Sequence, residues 1–466
     1  MRIGATLRVG TVIGGMAICL AAHCPTTAMA QTAIPQQAPG NAGSAVTPAM
    51  PAAKSGSAEG TQISLTDAIR IALENNRSVG IAKRRIGIAQ DRQKEANSGY
   101  WPKVTVDAAS AQRDVPPLAS FKFSPIPIPQ GDLYTATTHT ALVMPLLDFG
   151  RTSNASDSAK LGVEAAELTS ERTEQDIILQ VSQAYYRVLQ SQKIKQVVLD
   201  SIASVQLQLR DAKAFFEQGL VANSDVLSAE VRMAERQQDL INAESNLQVT
   251  LASLNRVMGQ DLNKKLALQD VTGRPEWTGN YDALVQTAQR NRADLQAARL
   301  QVASSEADYR AAKSTNWPTV NAYAAYDTNS TSFLVHKEWT TTGLTFSMTV
   351  FSGGAQSATI ERKQREFLEA QDQYLERQDN ISLDVKQAYL AVVQTHDSVD
   401  VADKNQQLAA ENLRIFRDRY TQGLVTSTDV LTAEDTASRA RSSYYQALYD
   451  YHSALARLDN VIGKSK

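Results

Sequence analysis

Gln218-Gly219-Leu220-Val221, followed by Ser224-Asp225-Val226-Leu227, returns as Gln422-Gly423-Leu424-Val425, followed by Thr428-Asp429-Val430-Leu431. Each copy interrupts a long stretch that permits helix. From 163 to 258 there is no proline and Gly219 is the only glycine; from 355 to 462 the same holds for Gly423. A glycine at such a point allows the positive φ with which helices end. Each motif therefore reads as the tip of a helical hairpin, with continuous helix on either side.

Outward from the tips, the likeness continues. Gln183-Ala184-Tyr185 returns as Gln387-Ala388-Tyr389, and Leu254-Asn255 through Gly259 returns as Leu458-Asp459 through Gly463, all displaced by 204 residues. Nearer the N-terminus, Leu65-Thr66-Asp67-Ala68 through Asn76-Arg77 returns as Tyr281-Asp282-Ala283-Leu284 through Asn291-Arg292, and Trp101-Pro102 returns as Trp317-Pro318, the tryptophans being displaced by 216. Ordered self-similarity of this kind means two structurally equivalent halves. The first half carries 12 extra residues, assigned to 113–131, where Pro116, Pro117, Pro125, Pro127 and Pro129 predict a loop rather than a strand or helix.

Upstream of the first tip, Ile177, Val181, Ala184, Val188, Ser191, Lys195, Val198, Ile202, Val205, Leu209, Ala212 and Phe216 alternate spacings of four and three. Shifted by 204, Ile381 through Tyr420 repeat the pattern. A 3.5-residue period implies left-handed supercoiling of neighbouring helices. The many small and polar members suit helices side by side in a wall. A helix from about 151 to 218 is roughly 100 Å long, far beyond one globular domain.

Between the helices lie short β segments. Thr340, Thr342, Leu344, Phe346, Met348 and Val350 share one face, and Trp339, Thr341, Gly343, Thr345, Ser347 and Thr349 the other. Val104, Val106 and Ala108 alternate likewise, and Tyr100, Trp101, Trp317, Tyr323, Tyr326 and Trp339 cluster near segment ends. Strands with one apolar face, one polar face and terminal aromatics fit a membrane β-barrel. Two strands per half make four per chain, too few to close a barrel. Open edges are not viable in lipid, so such strands require an oligomer.

The 466 residues are 43% hydrophobic and 21% charged, with a net charge of −2 and no basic block, which argues against a nucleic-acid partner. Residues 1–30 read as a secretory signal peptide, with Arg2 and Arg8, an apolar run and Ala28-Met29-Ala30 as the cleavage site. Cys19 and Cys24 both lie within it, so no thiol chemistry is expected of the mature chain. Residues 31–62 read as a flexible Ala/Pro/Gly-rich leader. The first repeat is assigned to 63–260, with a β-hairpin at about 102–147 and the turn at 218–224. A connector follows at 261–280. The second repeat is assigned to 281–466, with a hairpin at about 318–351 and the turn at 422–428.

The doubled helix start, Trp-Pro strand entry, Gly-Leu-Val…Asp-Val-Leu tip and Leu-Asn…Met-Gly end resemble the TolC family of outer membrane efflux and type I secretion channels, over about 63 to 463. Leu147-Asp148-Phe149-Gly150-Arg151 and Phe351-Ser352-Gly353-Gly354 look like that family's barrel-to-helix junction. The resemblance implies a mainly α protein with membrane β: a homotrimer whose twelve strands close one outer-membrane barrel above a periplasmic α-barrel of long coiled-coil helices. It implies a periplasmic adaptor and an inner-membrane pump of RND, ABC or MFS type as partners, with transport as the function. The cargo stays open.

By that resemblance, the tips Gly219, Leu220, Val221, Gly423, Leu424 and Val425 meet the adaptor. Asp429 forms an acidic ring at the pore entrance, in which like charges raise its pKa and favour cations. The family's second ring aspartate falls on Thr432. Tyr420 and Asp225 match a link that holds the entrance shut, while a second link's arginine falls on Val425. Read from spacing alone, both aspartates are also first-turn helix carboxylates. No enzyme is expected: His139, His336, His396 and His452 are scattered, with no metal-ligand spacing, and no nucleophile or phosphate-binding motif occurs. No cofactor is implied. The rival reading is a soluble periplasmic coiled-coil scaffold or adaptor.

Overall fold

The computed structural model describes residues 62–464, with 117, 130, 272 and 333 excepted. The signal peptide, both cysteines and all but the last residue of the leader lie outside the described residues. In chain order, α1 (Leu65–Asn75) and α2 (Arg77–Asn97) precede β1 (Lys103–Gln112), β2 (Leu118–Phe121), β3 (Ser124–Pro129) and β4 (Tyr134–Leu147). The long helix α3 (Arg151–Glu217) and α4 (Asn223–Val257) complete the first repeat. Then come α5 (Tyr281–Asn291), α6 (Ala293–Ser314), β5 (Thr319–Asn329), β6 (Glu338–Ser347), α7 (Ala355–Thr421) and α8 (Ser427–Val461). Both bounds of α7 and α8 lie 204 residues beyond those of α3 and α4.

Four helices end on the same device. Gly219 takes φ 73° and Gly423 φ 75°. Leu220 N–H donates to the Phe215 carbonyl and Gly219 N–H to Phe216; Leu424 and Gly423 repeat this on Arg419 and Tyr420. This is the Schellman arrangement, which satisfies the last carbonyls of each helix. Gly259 and Gly463 close α4 and α8 in the same way. There space decides as well: a Cβ on Gly259 would lie 2.5 Å from the Asn75 carbonyl, and one on Gly463 2.9 Å from that of Asn291.

The seam of α7 holds throughout, since none of its twelve positions is exposed. In α3 it holds to Ala212 and then departs. Phe216 is 45% exposed, while Phe215 packs on Tyr420 with ring centroids 5.6 Å apart. The buried stripe of α3 is also wider than a two-helix seam, adding Val197, Ser201 and Gln208. The reason is that α3 packs against α2, α4, α6 and α8 rather than one partner. Two equivalent cores sit where short and long helices cross. One joins Ala68, Ala72, Val181, Tyr185, Val188, Leu254 and Met258; the other joins Ala288, Ile381, Val385, Val392, Tyr451 and Leu458. Full burial of each large member is worth about 1.5–3 kcal/mol.

β1, β4, β5 and β6 form one antiparallel sheet in that order, so β1 and β6 are its edges. Register sorts its two faces. Val104, Val106, Leu142, Met144, Leu344 and Phe346 lie on one, each exposed. Asp107, His139, Ala141, Asn321, Ala325 and Asp327 lie on the other, where Ala141 and Ala325 are buried. The sheet passes into the long helices through tight bends. Phe149 and Gly150 have φ 53° and 88°, and Gly353 and Gly354 have φ 63° and 89°. Asp148 accepts from the Gly150 and Thr152 amides, capping the start of α3.

The proline-rich insertion is not wholly a loop. β2 and β3 pair as a separate two-stranded sheet, with Leu118 opposite Pro129 and Ala119 opposite Ile128. The prolines of β3 stand at every second residue, 125, 127 and 129. In a two-stranded sheet every second amide points away from the partner strand, and proline forfeits no ladder bond there.

Candidate functional site at the helix tips

The two hairpin tips present the predicted residues as open surface. Leu220 and Leu424 are 68% and 67% exposed, with Gly219 and Gly423 beside them and Val221 and Val425 half-buried. No side chain lies within contact of a Cβ placed on either tip glycine. An exposed leucine at the end of two tight turns, held by backbone bonds rather than packing, is built to be presented.

Behind the second tip, Asp429 is exposed and forms a capping box. Thr426 Oγ1 accepts from the Asp429 amide at 3.3 Å, and the Asp429 carboxylate accepts from the Thr426 amide at 2.9 Å. The Thr426 hydroxyl also donates to that carboxylate at 2.7 Å. These bonds hold Asp429 below the ordinary carboxylate range within the chain. At the first tip the capping position is Ala222, which has no side-chain oxygen, so Asp225 stands in the first turn of α4 without a box.

Tyr420 and Asp225 are brought near one another but not joined. The Tyr420 side chain is buried, and its hydroxyl makes no hydrogen bond of ordinary geometry, although Ser427 and Gln208 lie beside it. Burial pushes its pKa up, and the charge of Asp225 adds to the rise. The predicted Tyr420–Asp225 hydrogen bond is therefore absent within the chain. What holds Tyr420 is apolar: Leu413, Val430, Ala433 and Phe215 pack around it.

The polar connection between the hairpins lies one to two turns deeper and escaped the sequence reading. Glu434 on α8 is 5% exposed. Its carboxylate accepts from Ser204 of α3 at 2.6 Å and from Arg417 of α7 at 2.9 Å, and Arg417 also contacts Ser204. The neighbouring Asp435 accepts from Arg232 at 2.9 Å and Arg236 at 2.5 Å, both on α4. Gln208 of α3 donates to Ser427 at 3.1 Å. Thus α8 is tied to α7, to both helices of the first hairpin, and to the tip. The repeat held a signal for this. Lys213 and Glu230, the positions equivalent to Arg417 and Glu434, also pair, at 2.8 Å, but half-exposed. Among the described residues no cluster has the make-up of a metal site, and no helix is long and apolar enough to cross a membrane.

Comparison with known proteins follows these same divisions. A family model described as outer membrane efflux protein matches residues 68–260 and 284–464. Outer membrane protein TolC of Escherichia coli (strain K12) is 22% identical over 299 residues, spanning 61% of this chain and 61% of that relative. Multidrug resistance outer membrane protein MdtQ of Escherichia coli O6:H1 is 25% identical over 397 residues, covering 81% of each chain. The crystal structure of the outer membrane protein VceC from Vibrio cholerae aligns with a TM-score of 0.73 at 19% identity, covering 86% of this chain and 96% of that one. At that identity the likeness speaks to the fold.

Proposed function

Because the chain belongs to the outer membrane efflux protein family, we propose that it is the outer-membrane exit duct of a tripartite export system, a passive channel subunit and not an enzyme. The observation that carries this reading is the sheet. One face is apolar and exposed, the other is polar, and β1 and β6 leave ladders of unpaired backbone groups at its two edges. In water both the face and the edges are liabilities. In a membrane, edge-to-edge pairing of copies removes the open ladders, and lipid covers the apolar face. A homotrimer places the family's twelve strands in one closed barrel, with α3, α4, α7 and α8 of each copy forming the tunnel wall in the periplasm. A soluble scaffold would leave that exposed face without purpose.

The tips are the surface for a periplasmic adaptor, through Leu220 and Leu424, and the adaptor couples the duct to an inner-membrane pump. The exposed Asp429 carboxylates face one another at the tunnel entrance, and Asp225 and Tyr420 belong to the region that moves when it opens. Membrane fractionation tests the reading. Heat-modifiable trimers in the outer membrane, conducting in planar bilayers, are the expected result. A wholly soluble periplasmic pool overturns it.

A further inference from the structure

The polar face of the sheet carries one row of charge. In register, Asp107 of β1 stands opposite His139 of β4, and His139 opposite Asp327 of β5, which in turn faces Trp339 of β6. His139 Nδ1 donates to Asp327 Oδ1 at 2.6 Å. The imidazole remains 45% exposed and the Asp327 side chain 21%, so the row is open to the space that this face bounds. The remaining charge that the sheet strands place on this face is Lys103, four residues from Asp107 on the same strand. The own-strand neighbours of His139 on this face are Thr137 and Ala141; the flanking β5 positions are Ala325 and Asn329. On the opposite face the same rows hold Val106, Thr140, Tyr326 and Thr340. The next rung of that face ends in Glu338, which accepts from the Tyr326 hydroxyl at 2.6 Å, so the Asp–His–Asp row itself belongs to one side only.

We propose that Asp107, His139 and Asp327 form a second selectivity element in the barrel lumen, distinct from the entrance aspartates, in which the charge of His139 sets the preference for cations. This rests on the exit-duct reading, under which the polar face lines the lumen. With His139 neutral, the row carries two negative charges per chain; with His139 protonated, it carries one. A ring of carboxylates on a pore wall favours cations, and halving its charge weakens that preference. A pair whose only task was to tie two strands would not need a third carboxylate across from it, nor an imidazole left half-exposed on the polar side.

The test is the K+/Cl− permeability ratio of the full-length protein in planar bilayers, read from pH 8 to pH 5. The wild-type ratio falls by about two-fold or more across that range at low ionic strength, where fixed charges are least screened. Asp107→Asn with Asp327→Asn lowers the ratio at pH 8. His139→Gln removes the pH step, and His336→Gln, in the connection between β5 and β6, leaves it in place. A conducting wild-type channel whose ratio is flat from pH 8 to pH 5 overturns the inference, as does a step that survives His139→Gln. If His139→Gln changes only the heat resistance of the trimer, the pair is structural and the inference falls. Absence of any conductance overturns the duct reading itself, and this inference with it.

Discussion

Glu434→Gln separates two accounts of how the tips are held together. The wild-type carboxylate accepts from Ser204 at 2.6 Å and from Arg417 at 2.9 Å while 5% exposed. Both donors fall on one oxygen, Oε2; glutamine has the same shape and can place its carbonyl there, but as an uncharged acceptor. Hydrogen bonds to charged groups are each worth about 1.5–3 kcal/mol. Both bonds survive on the amide oxygen but become neutral, at about 0.5–1.5 kcal/mol each. The Arg417 side chain is 44% exposed and regains water, which discounts the loss to about 1–2 kcal/mol. If opening the entrance parts α8 from α3, that energy appears as an open population raised by about 5- to 30-fold. Tyr420→Phe, by contrast, removes a buried hydroxyl that makes no hydrogen bond of ordinary geometry among the described residues. It leaves the apolar packing with Phe215 and Leu413 intact and does not open the entrance. Single-channel recording of both variants, with heat-resistant trimers as the control for folding, decides the matter. Wild-type gating in Glu434→Gln, or opening by Tyr420→Phe alone, refutes this account and restores the link read from sequence.

The other expectations concern assembly, stability and pH. Leu220→Asp with Leu424→Asp leaves the trimer intact, because both leucines are two-thirds exposed, yet abolishes export and co-purification with the adaptor. Gly463→Ala forces a Cβ to 2.9 Å from the Asn291 backbone at φ 69° and destabilises the folded chain by about 1–3 kcal/mol, seen as a lowered melting temperature, whereas Gly87→Ala meets open space and is neutral or stabilising. Burial lowers the pKa of His452 despite its hydrogen bond with the Gly273 carbonyl; the unfolded chain therefore binds the proton first, and stability falls as pH drops below about 6.5. His452→Gln removes that part of the acid sensitivity in thermal melts. Burial pushes Asp294 up, but the hydrogen bond and charge of Arg292 prevail and hold it low. Its contribution is present above about pH 4 and is lost as pH falls through the lowered value, so Asp294→Asn flattens the stability profile only in that acid range.

Much of this was legible because the chain says it twice. A doubled tip motif, a single glycine in each proline-free stretch and a constant displacement of 204 located four helices, whose bounds agree between the halves. What was missed lacks a second copy or depends on tertiary contact. The β2–β3 hairpin lies in the unpaired insertion, where proline content argued for a loop, and only the two-stranded pairing makes its spacing tolerable. Phe215 rather than Phe216 turns toward Tyr420 because the hairpins meet there, a fact no single-helix period contains. Glu434 reads as one more solvated charge on a long helix until Ser204, 230 residues away, is seen to donate to it.

The differences between the halves fall where the two hairpins must be distinguished. Glu230 and Glu434 occupy equivalent positions and each pairs with a cation of the preceding helix, but only Glu434 is buried, and only it receives a hydroxyl from the opposite repeat. Asp435, which binds Arg232 and Arg236, has Val231 as its counterpart. Thr426 completes a capping box where Ala222 leaves none. Each change adds a bond accepted by a side chain or cap of α8, and the one at Asp435 ties α8 to α4. Duplication alone would give two interchangeable hairpins and a tunnel wall with no preferred hinge. Concentrating the polar ties on one helix per repeat pair makes the second hairpin the anchored one at its tip, and a buried carboxylate shared by three helices is costly to half-break. Such a network favours two discrete arrangements, intact or fully released, over gradual loosening, and that is the behaviour an entrance needs if it is to stay shut until a partner engages it.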